Sequence, residues 1–146
     1  MFEIVPIKES DYESWLELWS GYLEFYEAHL AEEVTAKTFE RILSADIHGA
    51  LAKNTSGEIV GLVHWITHRS TWSIEEICYL EDLFVAQSQR GKGVGKTLIE
   101  HVFRWSMDRN LKKVYWLTAE SNHTARRLYD DVAKRTGFIH YEKQSD

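Results

Sequence analysis

The sequence predicts an α/β chain, a central mixed β-sheet flanked by helices on both faces, and three observations carry that expectation. Apolar residues recur at helical spacing in Val94, Leu98, Ile99, Val102, Phe103 and Trp105. β-Branched and aromatic residues crowd Ile74 to Val85 and again Val114 to Thr118, the second run being apolar on both faces as a covered strand requires. Helical and strand-like stretches then alternate in the order β-α-α-β-β-β-α-β-α-β, the pattern of a mixed sheet. The 146 residues are the length of one ordinary domain, 1–146, able to bury roughly two-thirds of its unfolded surface.

Taken in order, Phe2 to Ile7 reads as a short first strand. Ser10 or Asp11 can cap a helix running toward Leu30. Trp15, Leu16, Leu18, Trp19, Tyr22, Leu23, Phe25 and Tyr26 fill more than one stripe of that helix, so some of the rings should line a groove, and Gly21 is a place for it to kink or divide. Thr35 to Leu43 is amphipathic and helical. Leu51 to Lys53 and Glu58 to Thr67 read as a hairpin around Asn54-Thr55-Ser56-Gly57, where Asn and Gly suit a tight turn. The strand ending at Val85 is followed by a glycine-rich loop and the helix beginning near Val94, for which Asn110 is a stop. After the strand 114–118, Ser121 or Asn122 caps a helix with Ala125, Leu128, Tyr129, Val132 and Ala133 on one stripe and Gly137 as its end. Phe138-Ile139-His140-Tyr141 closes the fold as a last strand.

Composition narrows the function classes. Hydrophobic residues make up 44% and charged residues 27%, which suits a globular chain and leaves no apolar run long enough for a membrane span. Nothing at the start reads as a signal peptide, so the cytoplasm is the expected location. The single Cys78 excludes an internal disulfide framework and sits in an apolar run, where a buried structural thiol is expected. The net charge of −6 is uneven: residues 1–89 carry −11 and residues 90–146 carry +5. The acidic front suits a cationic partner and repels nucleic acid, whereas the basic rear suits a phosphorylated ligand.

The sign changes at Arg90-Gly91-Lys92-Gly93-Val94-Gly95-Lys96. Glycines let successive backbone N–H groups point inward, and the following helix adds its positive end, worth roughly 0.3–1 kcal/mol toward an anion. A pyrophosphate is the natural guest. Gly95-Lys96-Thr97 matches the end of a nucleotide P-loop, but that pattern demands glycine where Arg90 stands. A dinucleotide fingerprint starting at Gly91 or Gly93 would need glycine at Lys96 or Leu98. On spacing alone, an anion cradle of another kind and a flexible basic turn both remain.

Arg90-Gly91-Lys92-Gly93-Val94-Gly95 resembles the [QR]-x-x-G-x-[GA] motif of the GNAT superfamily of N-acetyltransferases. Tyr79 to Val85 looks like the strand before that loop, and Asn122 to Tyr129 followed by Gly137-Phe138 looks like the family's later helix and strand. The resemblance spans roughly residues 74–141 and is similar in texture to small diamine and protein-amine acetyltransferases. It implies acetyl-CoA as co-substrate, held at Leu83, Phe84 and Val85 by backbone groups and at Arg90, Gly91, Lys92, Gly93, Val94, Gly95 and Lys96 by its pyrophosphate. Asn122 would cap its helix or hydrogen-bond the pantetheine arm.

Acetyl transfer requires a neutral amine, a polarised thioester and a proton for the departing thiolate. An alkylammonium with pKa near 10.4 must lose its proton at a cost of about 4–5 kcal/mol at pH 7, which a base in a desolvated acidic site can offset. Glu81 and Asp82 are adjacent carboxylates; in a regular strand they point to opposite faces unless a bulge re-aims them. The resemblance favours Glu81 as the base, directly or through water, with Asp82 second. Periodicity alone makes Tyr129 a core residue, but the resemblance places it beside the thioester sulfur as proton donor. The expected acceptor is a primary amine of a small cationic molecule or of a protein, attacked directly in a ternary complex. Two further classes are weighed: a non-catalytic acyl-CoA-binding or regulatory module, and a nucleotide phosphotransferase, for which no magnesium-binding partner is evident.

His64 and His68 share a strand face without a third ligand, so no metal site is expected. His123 reads as a surface residue, with a role on the acceptor side left open. Trp15, Trp19, Tyr22, Tyr26, Trp65 and Trp72 are core residues by default, although several beside an acidic surface would suit cation–π contact with an amine. An unpaired sheet edge near the last strand suggests a homodimer.

Overall fold

A computed structural model describes residues 1–145 and contains a five-stranded sheet in the order β1-β2-β3-β4-β5. Strands β1 (Glu3–Pro6), β2 (His48–Lys53), β3 (Ile59–His68) and β4 (Ile77–Val85) pair antiparallel in sequence. Strand β5 (Val114–Tyr115) adds to β4 in parallel through only two residue pairs, Cys78 with Val114 and Tyr79 with Tyr115. Helices α1 (Tyr12–Phe25) and α2 (Glu32–Leu43) precede β2; α3 (Val94–Asp108) joins β4 to β5, and α4 (His123–Val132) follows β5.

The two faces of the sheet bury separate cores. On one, Trp15, Leu18 and Trp19 of α1 and Phe39 and Ile42 of α2 close over Leu51 and Leu62. On the other, Val94, Leu98, Ile99 and Val102 of α3 cover Ala50, Ala52, Val60, Val63, Trp65, Cys78 and Leu80, with Leu128, Tyr129 and Val132 of α4 packed against the rim. The spacing of the α3 residues is the helical period seen in the sequence, and Asn110 ends that element in a left-handed conformation, φ 59°. The hairpin forms at the expected turn. Asn54 Oδ1 accepts hydrogen bonds from the N–H groups of Ser56 and Glu58, and Gly57 takes φ 83°. Cys78 is fully buried, with its thiol pushed up by that burial, as a structural cysteine should be. None of the described helices is long and apolar enough to cross a membrane.

Four expectations need correction. Helix α1 runs unbroken through Gly21 and ends at Phe25; a Cβ at Gly21 would come within 2.9 Å of the Phe84 ring, so this glycine admits the ring against the helix. Strand β5 stops at Tyr115 because β4 and β5 part there. Helix α4 ends at Val132, before Gly137, where Ala133 becomes extended and donates its N–H to the Tyr129 carbonyl. The expected strand 138–141 does not form. Residues 133–145 are all exposed and contain no strand, since no neighbouring strand offers Phe138 to Tyr141 a ladder.

Candidate active site

Glu81 occupies a bulge in β4. His64 pairs with Asp82 and Trp65 with Leu80, so one residue of β3 spacing faces two of β4 and Glu81 has no partner. Burial shows the consequence. Cys78 and Leu80 belong to the core under α3, and so do Leu83 and Val85, whereas Phe84 packs under α1. The alternation has therefore slipped by one between Leu80 and Leu83. The strand places Glu81 and Asp82 on one side instead of two.

Asp82 turns into the protein. Its Oδ2 lies 3.0 Å from Nδ1 of His64, whose Nε2 lies 3.0 Å from the indole nitrogen of Trp15. An indole N–H only donates, so Nε2 accepts and the imidazole proton sits on Nδ1, pointing at the carboxylate. His64 and Trp15 are fully buried, while the Asp82 carboxyl is 14% exposed. Glu81 instead borders a cleft of about 230 Å³, opened where β4 and β5 separate and walled by Tyr22, Tyr26, Trp116, Thr118 and Tyr129. The Glu81 carboxyl is shifted up, first by loss of solvent and then by the neighbouring Asp82 charge.

Phenols dominate the remaining walls. Burial raises Tyr22 well above the ordinary tyrosine range, with the Asp82 carboxylate adding to the effect, and raises Tyr26 for the same two reasons. Tyr129 is pushed up to about 12, chiefly by burial and secondly by Tyr26. Its ring meets Trp116 edge-on at 5.5 Å. A phenol so shifted stays protonated at neutral pH and is a donor. The helix carrying it begins at Asn122, whose Oδ1 accepts from the Ala125 N–H at 3.3 Å, so the structure selects Asn122 over Ser121 as the cap.

The glycine loop lies at the far end of β4. Gly91 and Gly93 take φ 79° and 87°, and Gly93 caps α3. The first intrahelical backbone bond there runs from Thr97 N–H to the Gly93 carbonyl, leaving the amides of Val94, Gly95 and Lys96 at the open helix end without a backbone partner. Open space surrounds the missing Cβ positions of Gly91 and Gly93, whereas a Cβ at Gly95 would approach Leu128 to 3.3 Å, so Gly95 sets the closeness of α3 to α4. Lys92 and Lys96 bring positive charge to this end. Arg90 is bound back onto β4: its Nε donates to the Val85 carbonyl at 3.0 Å and its guanidinium lies over the rings of Phe25 and Phe84. Leu83, Phe84 and Val85 have no strand partner on the β5 side; the Val85 carbonyl accepts from Arg90, and the remaining backbone groups on that side are available to an extended ligand.

These donors fit a pantetheine pyrophosphate, with an extended arm along the free edge of β4 and an anion at the start of α3. The structure thus brings Glu81 and Tyr129 to one cleft and turns Asp82, beside it, toward His64. His68 belongs elsewhere, its Nε2 2.7 Å from the Tyr115 hydroxyl, and no group of three metal-ligating side chains exists among the described residues. The chain from Trp15 through His64 to Asp82 was not legible, its two contacts spanning 49 and 18 residues. Tyr22 and Tyr26 were signalled by the excess of rings on α1 and by the fitness of such rings, beside an acidic surface, for cation–π contact with an amine.

The family model described as acetyltransferase (GNAT) family matches residues 12–134. The D-amino-acid N-acetyltransferase HPA3 of Saccharomyces cerevisiae is 36% identical over 143 residues, covering 96% of this chain and 89% of that protein. A thialysine N-epsilon-acetyltransferase of Caenorhabditis elegans is 25% identical over 132 residues, covering 90% of this chain and 81% of its own. The solved structure of AAC(6')-Iy with a bisubstrate analogue of CoA and acetylneamine superposes with a TM-score of 0.85 at 19% identity, covering 100% of this chain and 99% of that one.

Proposed function

Because the chain belongs to the acetyltransferase (GNAT) family and is an acetyl-CoA-dependent N-acetyltransferase, we propose that it acetylates the primary amine of a small cationic or protein substrate by direct attack in a ternary complex, acting as a cytoplasmic homodimer. One observation carries the acceptor assignment: the cleft between β4 and β5 holds Glu81 on one wall and Tyr129 on another, amid phenols and next to Asp82. Carboxylates and ring faces favour a cation entering this space, and exclusion of water weakens its hold on the proton.

In the proposed sequence, Glu81 takes the ammonium proton, directly or through one water. The freed nitrogen lone pair attacks the thioester carbon, forming the C–N bond as the C–S bond breaks. Tyr129 gives its hydroxyl proton to the departing sulfur and is reprotonated by the second proton that the acylated nitrogen sheds, while Glu81 releases the first to solvent. The products are an acetamide, CoA thiol and one proton. Val94, Gly95 and Lys96 amides with Lys92 would hold the pyrophosphate, and Leu83, Phe84 and Val85 the pantetheine arm. Arg90 would keep the loop in place through Val85, and Asn122 would fix the helix that carries Tyr129.

A thiol-release assay against an amine panel tests the assignment. Free amino acids of both hands and thialysine belong in it because of the names of the relatives, and diamines because of the acidic cleft. Cationic amines should be preferred over neutral ones of similar size, and equal rates with uncharged arylamines would overturn the acceptor class.

A further inference from the structure

Tyr79 is a cleft residue to which the proposed transfer assigns no task. It stands two residues before Glu81 on β4 and lines the same cleft. Its neighbours Cys78 and Leu80 belong to the core under α3, so Tyr79 points to the opposite face of the sheet. Burial raises its phenol above the ordinary tyrosine range, and the Glu81 carboxylate is the next cause, ahead of Asp82. Stacking holds the ring: Tyr79 pairs with Tyr115 in the parallel ladder, and the two rings lie 5.0 Å apart with 17° between their planes. Tyr115 thereby takes one face of the Tyr79 ring, and the other face and the hydroxyl are what Tyr79 can offer the cleft.

Tyr115 is fixed in turn by His68, the last residue of β3. Nδ1 of His68 lies 2.8 Å from the Arg69 carbonyl, and its Nε2 lies 2.7 Å from the Tyr115 hydroxyl. A carbonyl only accepts, so Nδ1 carries the proton; the neutral imidazole then accepts at Nε2, and the Tyr115 O–H donates to it. The His68 ring also meets the Tyr115 ring edge-on, at 5.8 Å between centroids and 81°. His68 is not itself a wall of the cleft, but its hydrogen bonds tie the Tyr115 ring to the end of β3, and the stack passes that constraint to Tyr79.

We propose that His68 is a positioning residue for the amine acceptor: acting through Tyr115, it sets the Tyr79 ring as the wall along which the acceptor's carbon chain lies while its amine meets Glu81. The assignment rests on the transfer proposed above. At ~3.3 Å per residue, Glu81 and Tyr79 are about 7 Å apart along β4, so an amine held at Glu81 touches Tyr79 only if it carries a chain of several carbons. The acceptor class that profits from this wall is an alkylamine with an extended chain, and methylamine is too short to reach it.

Thiol release with saturating acetyl-CoA, measured for pentylamine and for methylamine, tests this role. In the wild type pentylamine should have the higher kcat/KM. His68→Leu should lower the pentylamine-to-methylamine ratio of kcat/KM about fivefold, the worth of one hydrogen bond, through KM and not kcat. His68→Gln, whose amide can accept from Tyr115 and donate to the Arg69 carbonyl, should restore most of the ratio. Tyr115→Phe keeps the stack and loses the hydroxyl, so it should give the same fall, and the double variant should fall no further than either single one. If His68→Leu does not fold, Tyr115→Phe alone carries the comparison. A ratio that stays at the wild-type value in the single variants, or falls that add in the double variant, overturns the role of His68 and leaves the transfer intact. A wild type that releases thiol with neither amine overturns the acceptor class itself, and this assignment with it.

Discussion

His64 holds Asp82 through a 3.0 Å contact from Nδ1 while its other nitrogen accepts the indole N–H of Trp15 at the same distance. The three side chains form one buried chain of donors and acceptors between α1, β3 and β4, and it leaves the imidazole a single tautomer. Its position directly across from the Glu81 bulge ties the core under α1 to the wall of the cleft.

Removing the middle of that chain leaves the buried Trp15 indole N–H unpartnered and takes the imidazole donor from the nearly buried Asp82 carboxylate. Each such group costs about 1–3 kcal/mol, more for a charge, so His64→Leu should lower stability by about 3 kcal/mol or more in urea denaturation. His64→Gln, whose amide can accept from Trp15 and donate to Asp82, should recover part of the loss. A His64→Leu chain within 1 kcal/mol of wild type would show that these contacts do not hold β4.

Glu81 gives a prediction in which stability and activity move oppositely. Its carboxyl is shifted above the ordinary value in the folded chain. The folded state therefore binds the proton more tightly than the unfolded one, and the associated stability is present at low pH and lost as pH rises through the folded value. Glu81→Gln should raise the melting temperature relative to wild type at pH 7.5, with the difference fading below the ordinary carboxylate range. The same substitution should cut kcat by about 10²-fold and remove the acid-side limb of the pH–rate profile. A profile unchanged in shape would move the base elsewhere.

Gly93 tests the anion cradle. At φ 87° an L-residue pays roughly 1–2 kcal/mol, although space for a Cβ exists. Gly93→Ala should therefore lose about 1 kcal/mol of stability and raise KM for acetyl-CoA several-fold, leaving KM for the amine nearly unchanged. Equal effects on both substrates would mean that the loop shapes the acceptor side as well.

Much of this arrangement was readable in the chain. The α3 stripe from Val94 to Val102, the Asn54 turn and the glycine loop follow local rules of period and backbone conformation, which act over a few residues. The cleft was half readable: the motif pointed to Glu81 and Tyr129, and the possibility of a bulge was evident, but only the His64–Asp82 and Trp65–Leu80 register reveals it. Asp82 was grouped with Glu81 because adjacency in sequence cannot show that one carboxylate meets His64 while the other meets the cleft. Phe138 to Tyr141 has a strand's composition and no strand to pair with, since pairing depends on a neighbour that composition does not specify.

Tyr129 bears the greatest weight in the proposed chemistry, its phenol pushed up to about 12 and held protonated in the cleft that Glu81 also lines. The most direct measurement is the rate of CoA thiol release by wild type and Tyr129→Phe with saturating acetyl-CoA and a cationic primary amine. The wild type should turn over, and the variant, still stabilised against heat by CoA, should lose about 10²-fold or more in kcat. A variant that binds CoA and turns over at the wild-type rate would contradict the assignment of this cleft as the place where acetyl leaves sulfur.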